Sequence, residues 1–187
     1  MDITLYQEKN TISLKKIKSK QELAEDKDYQ GYLINSDEKE IRRILDTLKA
    51  KKQNKLIFVQ AKEDLFNRRL IETCKINYLV SLELNPGKDT LKQRDSGLNH
   101  VSAKAAAKKN IPIVINFSAL QSLDKKAKAK ATSRIIQNII ICRKAKCKIK
   151  IASFATNSKE IVSENQLKAF LFSLGASSQQ VSDSTNF

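Results

Sequence analysis

The chain alternates short apolar segments with longer amphipathic ones, and this alternation limits its possible folds more than any other feature. Runs rich in β-branched residues predict six strands, at residues 3–6, 31–34, 56–60, 78–82, 112–116 and 148–152. Apolar residues at helical spacing predict five helices, at residues 38–52, 64–74, 98–109, 126–146 and 164–174. Residues 11–27 fit either a strand or a short helix. Such alternation is typical of a parallel sheet with crossover helices.

The number of strand and helix units favours either an open doubly wound sheet or a barrel. Eight complete units of a TIM barrel typically need about 250 residues, and the chain has 187. We therefore expect an α/β fold of the TIM-like (β/α) barrel kind, reduced or incomplete, as one domain over residues 1–176. Residues 177–187 are rich in Ser and Gln and poor in large apolar residues, so we expect a disordered tail.

Two helix boundaries have a local cause in the sequence. Asp37 precedes the helix predicted from residue 38, where its carboxylate would accept hydrogen bonds from free amides. Gly175 follows the last predicted helix at a position that favours a left-handed residue.

The positive charge of the chain is concentrated in one segment. Residues 88–150 contain sixteen Lys and Arg against Asp89, Asp95 and Asp124, so this segment carries +13 of the net charge of +15. Within it, residues 125–150 hold ten cations and no acid. Cations without local carboxylate partners repel one another unless something outside the chain neutralises them. A nucleic-acid phosphate backbone would do so.

The long helix predicted over residues 126–146 is expected to present cations and amides on one face. A helical rotation of 100° per residue groups Lys130, Arg134, Gln137, Asn138 and Lys144 on one side. Ile135, Ile139 and Cys142 then lie on the opposite side.

The segment from Arg94 to His100 falls between a predicted strand and the next helix, where α/β proteins place binding loops. Arg94 offers a planar fork for phosphate, Asn99 and His100 can hydrogen-bond to sugar or phosphate, and Gly97 permits close backbone approach. The alternative is that His100 is structural and that Arg94 pairs with a neighbouring carboxylate. Ser96 is expected to cap the helix.

Several classes of function are disfavoured by composition. One histidine, His100, cannot supply the ligands of a barrel metallophosphoesterase, and the spacing of Cys142 and Cys147 fits no common zinc site. An odd number of cysteines favours free thiols. No apolar run is long enough to cross a bilayer, and residues 1–6 lack the pattern of a signal peptide. We therefore expect no membrane association and a cytoplasmic location.

Six segments, taken together, resemble a known family. They are Asn77-Tyr78-Leu79-Val80-Ser81, Arg94-Asp95-Ser96-Gly97-Leu98-Asn99-His100, Ile115-Asn116-Phe117-Ser118, Arg134-Ile135-Ile136-Gln137-Asn138-Ile139, Cys142-Arg143-Lys144 and Ile151-Ala152-Ser153-Phe154-Ala155. Over residues 55–175 they are similar to ribonuclease P protein component 3, the barrel-shaped subunit of archaeal and eukaryotic ribonuclease P. The short N-terminal region, the tail in place of a final helix and the lysine run at residues 125–130 depart from the family.

The resemblance implies a barrel related to PHP-type metal-dependent phosphoesterases that has lost its metal ligands. It implies a subunit that binds ribonuclease P RNA together with the ferredoxin-like component 2, and that acts only indirectly on precursor tRNA. Chemistry would then belong to Mg²⁺ on the RNA, with no cofactor on this chain and no catalytic residue. The RNA-binding residues that it implies are Arg94, Asn99, His100, Lys109, Arg134, Asn138, Arg143 and Lys144.

Two alternatives remain open from the sequence. One is a PHP-type phosphoesterase with a reduced metal site. The other is a general RNA-binding protein with different targets.

Overall fold

Seven parallel strands arranged in sequence order form the centre of the molecule. The computed structural model describes residues 2–23, 28–85, 87–89 and 94–187. The strands are β1 (Asp2–Thr4), β2 (Thr11–Ile17), β3 (Gly31–Ile34), β4 (Leu56–Gln60), β5 (Tyr78–Val80), β6 (Ile113–Asn116) and β7 (Ile149–Ala152). The helices are α1 (Glu38–Ala50), α2 (Asp64–Thr73), α3 (His100–Lys108), α4 (Phe117–Gln121), α5 (Lys125–Ala145), α6 (Glu164–Ser173) and α7 (Ser178–Asp183).

The sheet curls until its first and last strands meet. Each strand pairs in parallel with the next along the chain. The Leu5 amide donates to the Ala155 carbonyl at 2.7 Å, and the Ser153 amide donates to Asp2 Oδ1 at 2.8 Å. These bonds join the β1 end to the chain beyond β7 and nearly close a barrel. The prediction of a reduced TIM-like barrel is confirmed.

Apolar side chains form two layers on opposite sides of this barrel wall. The inner layer fills the barrel, with Phe58 stacked on Tyr78 at a ring-centre distance of 4.3 Å and Phe154 edge-on to Phe58. The outer layer lies between the sheet and the helices. Alternate residues of each strand supply the two layers, as expected for strands buried on both faces.

Because the strands are parallel, all the helices that connect them run in the same direction along the barrel. Each connecting helix begins near the carboxyl ends of the strands, here called the C-terminal rim, and ends near their amino ends, the N-terminal rim. Asp37 caps α1 as predicted by accepting from the Glu40 amide at 2.8 Å, and Asp124 caps α5 in the same way. Gly175 follows α6 with φ +86°, also as predicted.

Some element boundaries differ from the prediction. The undecided N-terminal stretch contains strand β2 and a 3-10 turn at Lys20–Glu22, while its residues 24–27 lie outside the described part of the chain. Strand β5 ends at Val80 because Ser81 turns the chain with φ +63°. An additional short helix, α4, follows β6.

The prediction that residues 177–187 are disordered is wrong. Ser177 and Gln180 form a capping box that starts α7. The Ile151 amide then donates to the Ser184 carbonyl at 3.0 Å, so the segment occupies the edge of β7 beside β1. Phe187 packs against Tyr78 within the inner layer, and Lys150 Nζ lies 4.9 Å from the centre of the Phe187 ring. Backbone bonds and one aromatic anchor thus order a segment that has few apolar residues.

Candidate nucleic-acid interface

The loop before α3 and the start of that helix use most of their polar groups to hold the fold. Asn99, not Ser96 as predicted, caps α3, because its Oδ1 accepts from the Ser102 amide at 2.9 Å. Its Nδ2 donates to both carboxylate oxygens of Asp64, at 3.0 and 2.9 Å. His100 is exposed at the first position of α3. Asn99 therefore ties α3 to α2, and His100 is accessible to a ligand.

Arg134 lies inside the protein, contrary to the predicted cationic face. It is 2% exposed. Its Nε donates to Asp89 Oδ1 at 3.0 Å, and Nη2 approaches the same oxygen at 2.9 Å. The two terminal nitrogens also donate to the carbonyls of Glu83, Asn85 and Gly87. Four hydrogen bonds and an ion pair thus engage the guanidinium inside the protein, so Arg134 holds the chain after β5 on helix α5 and is not exposed to a phosphate.

Asn138 lies beside Arg134 on the same buried face. It is 2% exposed, and its Oδ1 accepts from Ser96 Oγ at 2.7 Å. The buried face of α5 consists of Ala131, Arg134, Ile135, Asn138, Ile139, Cys142 and Ala145. The predicted division of α5 into a polar outer face and an apolar inner face is thus wrong at Arg134 and Asn138, because the inner face anchors a polar loop as well as the apolar core.

Asp89 is the counter-ion that makes the burial of Arg134 possible. Burial disfavours its charged form, but the Asp95 amide at 2.7 Å and the Arg134 guanidinium outweigh that effect and lower the pKa of Asp89 below its ordinary value. Arg94 also approaches this carboxylate, with 3.8 Å between Nη1 and Oδ2, while its own side chain is 52% exposed. Both alternatives for Arg94 are therefore present at once: a weak contact with a neighbouring carboxylate and access to solvent.

The remaining predicted site residues lie at the other end of the helices. Lys109 follows α3 and its Nζ donates to the Glu72 carbonyl, while Arg143 and Lys144 are exposed in the last turn of α5. The Arg143 guanidinium has a weak 3.4 Å contact with the Gly175 carbonyl. The helical rise from His100 to Lys109 amounts to roughly 14 Å. The predicted residues hence form two exposed groups at opposite rims and one buried group.

Most other lysines of the basic segment are exposed and form no ion pair with a described carboxylate. They are Lys88, Lys104, Lys108, Lys125, Lys126, Lys146 and Lys148. Lys92 lies outside the described residues, and Lys150 is buried beneath Phe187. The unpaired positive charge predicted for residues 88–150 is thus exposed at the surface. Lysines contribute more of it than arginines do, since Arg134 is buried.

The C-terminal rim, where barrel enzymes place their active sites, contains a buried carboxylate, Glu83. Burial raises the pKa of Glu83 from 4.5 to about 7, against the amides of Glu83 and Asn116, which favour the charged form. Within the described ranges, no three His, Cys, Asp or Glu side chains lie close enough to hold a metal. The three cysteines are buried free thiols.

The structural environment of two carboxylates, Asp89 and Glu83, was not predicted from the sequence. Asp89 is one of only three acids in the basic segment. Its rarity among so many cations could have indicated that it pairs with one of them. Glu83 stands directly after a buried strand, but its sequence gives no indication that it points inward.

The sequence of this chain is similar to that of two curated proteins. No family model matches the chain. Two curated proteins, from Methanococcus vannielii and Methanocaldococcus jannaschii, are 24% and 26% identical to it over 147 and 148 residues, and both are named ribonuclease P protein component 3. The chain resembles ribonuclease P protein component 3. The aligned region covers 78% of this chain and 60% of each relative, so the chain spans less than two thirds of their length.

Solved structures agree on the fold. A chain of a cryo-EM structure of archaeal ribonuclease P with mature tRNA matches with a TM-score of 0.59 and 23% identity, over 78% of this chain and 61% of that one. A crystal structure of an amidohydrolase matches with a TM-score of 0.58 and 13% identity, over 84% and 40%. At these identities the likeness to the archaeal ribonuclease P chain and to the amidohydrolase establishes a shared fold. None of the described helices is long and apolar enough to cross a bilayer.

Replacement of Arg134 by Met should destabilise the protein strongly. The change removes the cation that pairs with Asp89 and the donor to three carbonyls, and loss of one partner of a buried ion pair costs about 3 to 5 kcal/mol. Urea denaturation should show this decrease in the free energy of unfolding. Arg143→Met on the same helix is the matched control and should change it by about 0.5 kcal/mol or less. Equal effects of the two substitutions would contradict the assigned role of Arg134.

Replacement of Glu83 by Gln should flatten the pH dependence of stability. Because the folded-state pKa is raised, the folded protein holds the proton more tightly, and this stabilisation is complete below pH 4.5 and is lost as pH rises through about 7. The loss amounts to about 3 kcal/mol at most. Denaturation at pH 5 and pH 8 should show that the variant gains stability relative to the original chain at the higher pH. A difference that is independent of pH would refute a buried, titrating Glu83.

Proposed function

We propose that this chain is a non-catalytic subunit of ribonuclease P that binds the catalytic RNA and assists removal of 5′ leaders from precursor tRNA. The observation that carries the proposal is the likeness to component 3 across 78% of the chain, combined with exposed, unpaired lysines in the segment that the likeness includes. The aligned region covers 60% of the length of those relatives. The activity and the partners of the whole relatives are therefore proposals for this chain.

The chemistry of this role is phosphate neutralisation. Lysines that lack a described carboxylate partner release condensed counterions when they approach an RNA backbone, and this release supplies much of the binding free energy. Of the eight residues predicted to bind RNA, the exposed ones, Arg94, His100, Lys109, Arg143 and Lys144, are suited to direct contact. Asn99, Arg134 and Asn138 act instead by holding α2, α3, α5 and the loop after β5 in place.

The partners follow from the same proposal. They are ribonuclease P RNA, the ferredoxin-like component 2 and, indirectly, precursor tRNA. Hydrolysis would be performed by Mg²⁺ bound to the RNA, so the endonuclease activity belongs to the assembled enzyme, and we propose that the assembly works in the cytoplasm.

RNA binding by the purified chain should weaken steeply with salt. Each phosphate contact contributes a slope of roughly −0.7 to −0.9 to log affinity against log salt. Replacement of Lys144 and Lys148 by Gln removes two exposed cations, so we expect the slope for ribonuclease P RNA to become shallower by about 1.5. Filter binding across a range of salt concentrations would measure this change.

Lys18→Gln with Lys39→Gln provides the matched control, because both lysines are exposed and lie outside the basic segment. That pair should leave the slope almost unchanged. Binding of ribonuclease P RNA that ignored salt, or equal effects of both pairs, would contradict the proposal. Recovery of the protein from cells with other RNAs bound, and not ribonuclease P RNA, would favour a general RNA-binding protein.

A further inference from the structure

The N-terminal rim of the barrel carries a ring of ten lysines, and half of them come from outside the basic segment. We call this ring the basic rim; its members are Lys49, Lys51, Lys52, Lys55, Lys75, Lys108, Lys109, Lys144, Lys146 and Lys148. Nine are exposed and Lys55 is half-buried. They lie in the last turns of α1, α3 and α5 or between a helix end and the next strand, so the topology alone brings them to one rim.

The helices carry acidic residues mainly at the C-terminal rim, opposite the basic rim. The first turns of α1, α2 and α6 carry Glu38, Glu40, Asp64 and Glu164, all at the C-terminal rim. At the basic rim, Glu72 is paired with Arg68 at 2.8 Å, which leaves the exposed Asp46 as an acid without a described ion-pair partner there. Asp28, which is also exposed, precedes β3 at the same rim. The ten lysines of the basic rim therefore outnumber the described acids there, Asp28, Asp46 and Glu72.

A groove opens on this rim between the ends of α1 and α2. Its volume is about 810 Å³, within the range of about 300 to 1,000 Å³ of small-molecule sites. Four buried apolar side chains line its floor: Leu48 of α1, Ile57 of β4, and Ile76 and Ile111, which precede β5 and β6. The Asn77 carboxamide lies among them and is fixed, because its Oδ1 accepts from the Ile57 amide at 2.8 Å.

The cations around the groove differ in their availability. Arg42 is engaged by Glu38 at 2.7 Å and by Thr73 at 2.5 Å. Lys55 donates to the Tyr29 carbonyl, and Lys109 to the Glu72 carbonyl. Lys49 and Lys75 are exposed, and their ammonium groups form no hydrogen bond or ion pair with a described residue. Of the described groove cations, these two are best suited to phosphates.

We propose that this groove holds one unstacked nucleotide of a single-stranded RNA segment, with its base on the apolar floor and adjacent phosphates on Lys49 and Lys75. The inference rests on the proposed function and extends it to a surface outside residues 88–150. Three observations favour RNA as the occupant: five lining cations against Asp46, an apolar floor edged by amides, and continuity through Lys109 with the lysines of α3. Proteins that read RNA commonly receive splayed-out bases in this way.

A 12-nucleotide oligouridine carrying one 4-thiouridine is a direct probe. Replacement of Lys49 and Lys75 by Gln should weaken its binding to the full chain about tenfold at low salt and should reduce the salt slope by about 1.4, the value for two single-strand contacts. Photocrosslinks to the original chain should map to residues 42–57 and 73–77. Both lysines are exposed, so circular dichroism and the melting temperature should not change.

Lys39→Gln with Lys16→Gln is the matched control. Lys39 is exposed on the same helix as Lys49, in its first turn, and Lys16 is exposed near the end of β2. This pair removes the same charge at the opposite rim and should leave affinity within about twofold of the original chain.

Unchanged affinity of the Lys49 and Lys75 variant, or crosslinks confined to residues 94–148, would overturn the groove assignment. So would loss of a protein partner without loss of RNA affinity. Stimulation of ribonuclease P RNA cleavage separates the two proposals: if the original chain stimulates cleavage while the groove variant binds the probe normally, only the groove assignment fails. If the original chain binds neither probe nor ribonuclease P RNA, both fail.

Discussion

The parallel pairing of all seven strands is the constraint from which the other properties of this molecule follow. Each helix that joins two parallel strands must run back along the barrel, so all connecting helices begin at one rim and end at the other. Acids are favourable in the first turn of a helix and cations in the last turn. This preference acts on each helix separately. In a parallel barrel its effects combine, and here it places Lys49, Lys108 and Lys144 at a common rim.

The same topology explains why the centre of the basic helix is not a nucleic-acid contact. Helix α5 packs against the chain after β5, whose carbonyls turn away from the sheet and need donors. Arg134 supplies those donors, with Asp89 as its counter-ion. The charge of the basic segment is hence divided into a buried part that fixes a loop and an exposed part that is free for a ligand. Burial, and not residue type, separates the two.

Much of the fold could be predicted from the sequence because its signals are local. Alternating strands and helices, the Asp37 cap and Gly175 after α6 all depend on residues close in the chain. Helical periodicity placed Arg134 and Asn138 opposite Ile135 and Ile139, whereas all four are buried on one face. The sequence could not reveal this, since the burial of Arg134 depends on the carbonyls of a distant loop. The order of residues 177–187 depends similarly on the unpaired edge of β7, although the capping box of Ser177 and Gln180 was a readable signal.

The candidate site was predicted less well, for a physical reason. A charge excess over residues 88–150 identifies a segment, whereas a binding surface is assembled from several segments by the topology. Lys49 and Lys75 lie far from that segment in sequence and join it only because α1 and α2 end at the same rim as α3 and α5. Arg134 was predicted to bind phosphate, but its guanidinium instead binds Asp89 and the carbonyls of the loop after β5.

Lysine acetylation footprinting tests the central claim most directly. The full chain is acetylated briefly with and without ribonuclease P RNA, and the modification of each lysine is measured by mass spectrometry. We expect protection of the exposed basic-rim lysines at the ends of α1 and α2 as well as of α3 and α5, with little change at Lys16, Lys18 and Lys39. Protection centred on the latter lysines, or none on either rim, would contradict it.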